Sequence, residues 1–251
     1  MAETAALAHV NGLRGVRRSP ASHLAPAFDN GSVPGIVELH EIPFQTMVGI
    51  RVDPASEGGK RVAAVTGGLP ARCGEVGSGD VGSGDVGGGS SRNSASRNGA
   101  SRNGASRNGA VAGSDSRMGG GVTVLWLSPF EFLVVAPEGA HDSLGGDLVR
   151  ALTEALADGE GQVVDLSANR TVFELSGSRA QAVLEKGCAL DLHPRSFAAG
   201  TALATEIGHI PTMLLKTGEE TFRVFPRASL ADYLGRWILD GMREFASPEV
   251  P

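Results

Sequence analysis

The residues of this chain best suited to chemistry sit together between two short apolar runs, Val163–Leu166 and Thr171–Leu175. They are Asp165, Ser167, Asn169 and Arg170, with Arg195 and Arg223 further along the chain. A planar guanidinium matches a carboxylate through two parallel hydrogen bonds, so these arginines suit an anionic ligand or an acidic side chain of another subunit. The alternative is structural: Asp165 and Arg170 pair with each other, or with nearby backbone, and stabilise the turn. A second group, Lys186-Gly187-Cys188, places a cation near a thiol, which lowers a thiol pKa. Cys188 also falls at the end of a helical stretch, where the dipole disfavours a thiolate, so a structural thiol is the reading. Metal chemistry finds no support in the spacing. Of His9, His23, His40, His141, His193 and His209, no two stand at i,i+4, and neither Cys73 nor Cys188 has a C-x-x-C partner. Gly77, Gly79 and Gly82 spell G-x-G-x-x-G, and Gly82, Gly84 and Gly87 repeat it. Repeats flank both matches, whereas a dinucleotide loop needs a strand before it and a helix after it.

The polar cluster needs elements to hold it, and the surrounding pattern supplies them. After the second apolar run, Ser178 and Gln181 have the spacing of a capping box. Ala180, Val183 and Leu184 share one helical face, and Gly187 stands where a left-handed helix stop belongs. Earlier strands are predicted at Ile36–His40 and Met47–Val52, separated by Pro43, with a helix over Ala55–Val65 started by Pro54. Val122–Leu127 and Phe132–Val135 read as strands across the turn Ser128–Glu131. His141–Ala157 reads as an amphipathic helix with Leu144, Leu148, Leu152 and Leu156 on one face. Strands follow at Thr201–Ile207, Thr212–Thr217 and Thr221–Phe225, the last two across Gly218-Glu219-Glu220. The last helix carries Leu230, Tyr233, Leu234, Trp237, Ile238, Met242 and Phe245 at helical spacing, behind an S-x-x-D cap at Ser229 and Asp232. Tyr233 and Trp237 fit a core stripe with satisfied polar tips better than a ligand stack. His193-Pro194-Arg195 reads as a rigid connector or an interface. Hairpins alternating with helices imply an α+β fold, antiparallel or mixed sheets covered by helices on one side.

Composition narrows the function classes. The chain has 251 residues, 22 Lys and Arg against 28 Asp and Glu, and a net charge of −6, which argues against a nucleic-acid partner. No apolar run approaches the roughly 20 residues of a membrane helix, and the start of the chain has no apolar core of a secretory signal. Two cysteines exclude a disulfide framework, so the expected compartment is the reducing cytoplasm. Residues 1–35 are expected to be a flexible N-terminal segment, or an arm that orders on a partner. Residues 36–251 form the main domain, interrupted at 74–121 by a Gly/Ser/Arg/Asn repeat insert. There GSGDV occurs twice, and S-R-N-x-A repeats four times from Ser91 to Ala110. Such a tract has too little apolar surface to offset its chain entropy and is expected to be disordered. Lengthening a loop from about 5 to about 40 residues costs only about 2 kcal/mol, so a fold can carry it. Its Arg92, Arg97, Arg102 and Arg107 read as a repeat expansion or as an anion-binding arm.

An ordered series of segments resembles the gamma subunit family of heterotetrameric sarcosine oxidase. It includes Asp165–Gly177 (DLSANRTVFELSG), Lys186-Gly187-Cys188, Leu190-Asp191-Leu192, Pro194-Arg195 with Phe197, Thr221–Val224 and Ser229–Asp240. Upstream it takes in Arg18-Ser19-Pro20, Glu41–Phe44, Gly49–Val52 and Val124–Leu127. The chain departs from the family pattern in having Phe130 and Phe132 where a polar residue and a tryptophan are usual. The resemblance implies the folate-binding fold of aminomethyltransferases of the glycine-cleavage T-protein type. It also implies a complex that oxidises sarcosine to glycine, forming hydrogen peroxide and 5,10-methylenetetrahydrofolate, with alpha, beta and delta subunits as partners. FAD, FMN, NAD and zinc are then expected on those other subunits, and none on this chain, which would be structural. Asp165, Asn169, Arg170, Arg195 and Arg223 become candidates for folate binding or for a subunit interface. Asp165 would meet the N–H donors of a pterin, and Arg170 and Arg223 a glutamate tail. Two other readings stay open: a stand-alone folate-binding aminomethyltransferase or iron–sulfur maintenance protein, and an unrelated small-ligand module. The maintenance proteins share Lys-Gly-Cys, but a Tyr and a Gly-Gln follow there, where Ala189-Leu190-Asp191 follow here.

Overall fold

The computed structural model describes residues 17–80, 121–138 and 147–246. A 3-10 turn at Ser22–Leu24 leads into helix α1 (Ala25–Gly31), followed by strands β1 (Glu38–Ile42) and β2 (Thr46–Val52) and helix α2 (Glu57–Thr66). Strands β3 (Val76–Asp80), β4 (Gly121–Ser128) and β5 (Glu131–Ala136) come next, then helix α3 (Asp147–Leu156). Strands β6 (Gly161–Asp165) and β7 (Val172–Ser176) precede helix α4 (Ala180–Glu185). Strands β8 (Ala202–Ile207), β9 (Ile210–Gly218) and β10 (Thr221–Val224) lead to the final helix α5 (Ala231–Ala246).

The strands form two five-stranded antiparallel sheets, ordered β1-β7-β10-β9-β8 and β3-β4-β5-β2-β6. Alternation of side chains along each strand sorts the core into layers. In the first sheet Leu39, Phe173, Leu175, Leu214, Phe222 and Val224 turn to one face, where Phe28, Val183, Leu184, Leu234 and Ile238 of the helices cover them. In the second, Val48, Ile50, Val124, Phe132 and Val134 meet Val62 of α2 and Leu148, Leu152 and Leu156 of α3. The opposite faces are buried too, through Val172, Met213 and Leu215 in one sheet and Met47, Leu125 and Leu133 in the other. Strand β4 packs on β8, so the sheets stack with helices outside each. This is an α+β fold with helices on one side of each antiparallel sheet, as expected.

Several details differ from the sequence expectations. Strands β1 and β2 do not pair with each other, and neither do β6 and β7; each couple divides between the two sheets. The connections are short but cross from sheet to sheet, one of them through Phe44 at φ 57°. Part of the expected flexible N-terminal segment is packed structure. Leu24 and Phe28 are buried, with the Phe28 ring edge-on to Phe173 at 5.6 Å, because two large apolar side chains one turn apart complete the helical layer. Residues 1–16 lie outside the described residues.

The start of the expected insert is also structured. Val76–Asp80 pairs in register with Gly121–Leu125, so Asp80 stands opposite Gly121. Gly77 and Gly79 of the G-x-G-x-x-G match belong to this strand, where backbone passes close by: a Cβ on Gly79 would meet the Thr66 carbonyl oxygen at 2.4 Å; Gly82, Gly84 and Gly87 lie outside the described residues. The S-R-N-x-A repeats and Arg92, Arg97, Arg102 and Arg107 lie outside the described residues, as does the start of the helix expected from His141.

Three expected helix-end signals are not used as such. Helix α4 has no side-chain cap, since Ser178 donates instead to the Gly35 carbonyl and Gln181 to Glu185. Gly187 does not adopt the left-handed stop. It is glycine because a Cβ there would lie 2.6 Å from Trp237 Cζ2. A 3-10 turn at Ala228–Leu230 precedes α5 where the Ser229 cap was expected.

Candidate functional site

The polar cluster occupies the crossing from β6 to β7, at the junction of the two sheets. Asp165 ends β6, and its Oδ1 accepts from the Ser167 N–H at 2.9 Å and from Ser167 Oγ at 2.6 Å. This is an aspartate-stabilised turn, in which a short acidic side chain replaces a backbone acceptor. The Met47 N–H on β2 donates to Ser167 Oγ at 3.0 Å, and the Leu166 N–H donates to the Met47 carbonyl at 2.8 Å. The turn is therefore fastened to the second sheet on its β6 side. On its β7 side the Ala228 N–H donates to the Asn169 carbonyl, and the Thr171 N–H to the Pro226 carbonyl. The segment before α5 thus runs antiparallel to the turn, with Arg170 opposite Arg227.

Arg170 is half-buried, and its Nη1 donates to the Phe225 carbonyl at 2.9 Å. Burial first, and then the like charge of Arg227, lower its pKa; a guanidinium nonetheless remains protonated. Asp165 and Arg170 do not pair with each other: Asp165 is satisfied by Ser167, Arg170 by a backbone carbonyl. Asn169 is exposed and contributes its main-chain carbonyl.

Arg223 lies on β10, the strand next to β7, in a ladder. His40 of β1, Glu174 of β7 and Arg223 of β10 stand in register, and Arg223 Nε donates to Glu174 Oε2 at 2.8 Å. His40 Nε2 lies 3.5 Å from the other oxygen of that carboxylate. Arg195 is exposed in the separate connection between α4 and β8, where its N–H donates to His193 Nδ1. That connection is a turned segment, with Asp191 accepting from the His193 N–H and from Ser196 Oγ. These two hydrogen bonds, Ser196 first, lower the Asp191 pKa.

The candidates do not gather at one place: Asp165, Asn169 and Arg170 share the crossing, Arg223 is paired with Glu174 in the first sheet, and Arg195 belongs to another connection. Among the described residues no three His, Cys, Asp or Glu side chains gather to hold a metal. Cys188 is half-buried with its sulfur 3.7 Å from Thr205 Oγ1, and Cys73 is exposed.

Two residues of this region were not among the sequence candidates for the site. Glu41 accepts from Ser19 Oγ and Thr171 Oγ1, each at 2.5 Å, and from the Ala21 N–H at 3.3 Å. It ties the N-terminal segment and the start of β7 to β1. Arg227 is exposed, and only the register with Arg170 brings it to the turn. The signals available were the family segment Glu41–Phe44 for the one and a charge next to Pro226 for the other, and nothing in the spacing connected them.

The family model for the sarcosine oxidase gamma subunit family matches residues 111–244, just over half of the chain. A sarcosine oxidase subunit gamma from Corynebacterium sp. (strain P-1) is 42% identical over 236 residues, covering 94% of both chains. One from Arthrobacter sp. is 43% identical over 237 residues, again covering 94% of each. Among solved structures, a chain of heterotetrameric sarcosine oxidase from Corynebacterium sp. U-96, in complex with pyrrole 2-carboxylate, superposes with TM-score 0.73. It is 38% identical, and the match covers 94% of this chain and 100% of that one. Aminomethyltransferase T of the glycine cleavage system from Bartonella henselae matches at TM-score 0.52 and 16% identity, over 86% of this chain and 48% of that one, and shares the fold. Identity at this level along nearly the whole of both chains, on the same architecture, places the protein: it belongs to the sarcosine oxidase gamma subunit family.

Proposed function

We propose that this chain is the gamma subunit of a heterotetrameric sarcosine oxidase and serves assembly rather than oxidation. The observation that carries the reading is the 42–43% identity to two gamma subunits over 94% of each chain. In this reading the partners are alpha, beta and delta subunits in the cytoplasm. The complex demethylates sarcosine to glycine, with hydrogen peroxide and 5,10-methylenetetrahydrofolate as further products. Hydride removal from an amine needs an electron acceptor that side chains do not supply, and a flavin provides that chemistry. FAD, FMN, NAD and zinc are assigned to the other subunits.

What this chain's residues do is hold a shape. Asp165, Ser167 and Asn169 set the crossing between sheets, and Arg170 presents a cation there. Arg195 offers a further cation, an exposed one, on the α4–β8 connection. Both are assigned to subunit contacts. Arg223 supports the sheet through Glu174.

Co-expression with alpha, beta and delta chains tests this. The complex should co-purify, absorb in the visible and release peroxide from sarcosine, while this chain alone should be colourless and inactive. A yellow, active isolated chain would overturn the reading. So would a colourless monomer that binds tetrahydrofolate tightly and ignores the other chains, which would mark a stand-alone folate-binding protein.

A further inference from the structure

Arg170 and Arg227 stand directly opposite each other in an antiparallel bridge, which puts their Cβ atoms on the same side about 4.5–5.5 Å apart. Like charges in such a pair repel, and the repulsion is felt at Arg170. Several other arginines of this chain meet a carboxylate: Arg51 meets Glu131, Arg72 meets Glu75, Arg223 meets Glu174 and Arg236 meets Asp232. The protein has acids to spare, with 28 Asp and Glu against 22 Lys and Arg. Yet among the described residues no carboxylate reaches Arg170 or Arg227. Arg170 spends one donor on the Phe225 carbonyl, and the guanidinium has five. The pair is also held rigidly, by the Ala228 to Asn169 and Thr171 to Pro226 backbone bonds on either side.

We propose that Arg170 and Arg227 form a clamp for an aspartate or glutamate side chain of a partner subunit. The inference rests on the subunit reading above and gives it one contact. A carboxylate matches the planar guanidinium fork, and two forks at one spot match it better than a solvated lysine pair would. Such an arrangement is costly in the free chain and is relieved on docking, which is what an interface residue can do and a stabilising residue cannot. Arg227 is exposed and Arg170 half-buried, so the open end of the clamp faces away from the chain.

The test uses the full chain with its co-expressed alpha, beta and delta subunits. R227E should weaken assembly by about tenfold or more, as loss of a close interfacial charge pair does, and R227A should weaken it less. The same R227E chain, isolated, should melt no lower than wild type, because the introduced carboxylate lies against Arg170. A structural role for Arg227 predicts the reverse, a lower melting temperature with assembly lost only in proportion. Unchanged affinity of R227E for the partners would overturn the clamp while leaving the subunit reading intact. Failure of the wild-type chain to assemble would overturn the subunit reading and the clamp with it. If inorganic phosphate raises the melting temperature of wild type but not of R227A, and assembly of R227A is normal, the site takes a small anion and the proposal fails.

Discussion

Glu41 shows how much one side chain can hold when its neighbours have no other acceptor. Ser19 and Thr171, which donate to it, are both buried. In E41A these hydroxyls and the Ala21 N–H lose their partner inside the protein, which should cost about 1–3 kcal/mol. A drop in melting temperature, with faster amide exchange over residues 17–24, checks it; E41Q, which keeps an acceptor, should recover part. Gly187 is the complementary case, a residue defined by absent atoms. A methyl there lies 2.6 Å from Trp237 Cζ2, so G187A should destabilise by about 1–3 kcal/mol through overpacking. The double variant with Trp237→Phe should lose less than the sum of the two singles; additive losses would show that the ring is not what excludes the methyl.

At the scale of elements, helix α1 and the turn before it form a clasp over the first sheet. Phe28 fills the space against Phe173, and F28A should cost about 3–5 kcal/mol, read as a lowered denaturation midpoint with the slope unchanged. The clasp has an electrostatic end, where His23 Nε2 lies 2.5 Å from Asp232 Oδ1 near the start of α5. The Asp232 pKa is depressed from 3.8, first by the hydrogen bond from Arg236 and next by that from His23. A depressed carboxylate pKa means the charged form is favoured by folding. Its contribution is present above about pH 3.8 and is lost as pH falls through the lower folded value. D232N should therefore narrow its deficit against wild type as pH falls from 5 to 2, in a melting-temperature series. All these groups are exposed, so the effect should be small and should shrink further in high salt.

For the whole molecule, the long connection between β3 and β4 is the feature most open to manipulation. Asp80 and Gly121 are paired, so the ends of the connection already lie side by side. Closing a shorter loop changes entropy only logarithmically. Replacing residues 82–119 with a short Gly/Ser linker should shift the melting temperature by only a few degrees, the scale of about 1–2 kcal/mol in a domain of this size. A cut extended back to Val76 should do worse, because it removes a strand that pairs with β4. Loss of folded protein on the shorter replacement would show that 82–119 carries structure.

The sequence by itself determined most of the strands and helices, because alternation and helical spacing are local; α1 and β3 were missed, since each forms only against a partner elsewhere in the chain. The runs around Met47–Val52, Phe132–Val135 and Thr212–Thr217 lie within strands, and the Leu148, Leu152, Leu156 stripe is the buried face of α3. The series of family segments was legible for the same reason, since it is written in consecutive residues. Partnership was not. That β1 and β2 join different sheets, and β6 and β7 likewise, depends on two crossings whose geometry is set by contacts such as Leu166 to Met47 and Thr171 to Glu41, more than 100 residues apart. Caps misled where a tertiary contact outbid the local one: Ser178 gives its hydroxyl to Gly35, and Gly187 makes room for Trp237. At the candidate site the residue types of the polar turn could be read, but not their use. Only the packed structure sets Arg227 against Arg170, because a register between residues 57 positions apart is decided by the sheets on either side and not by any spacing in the chain.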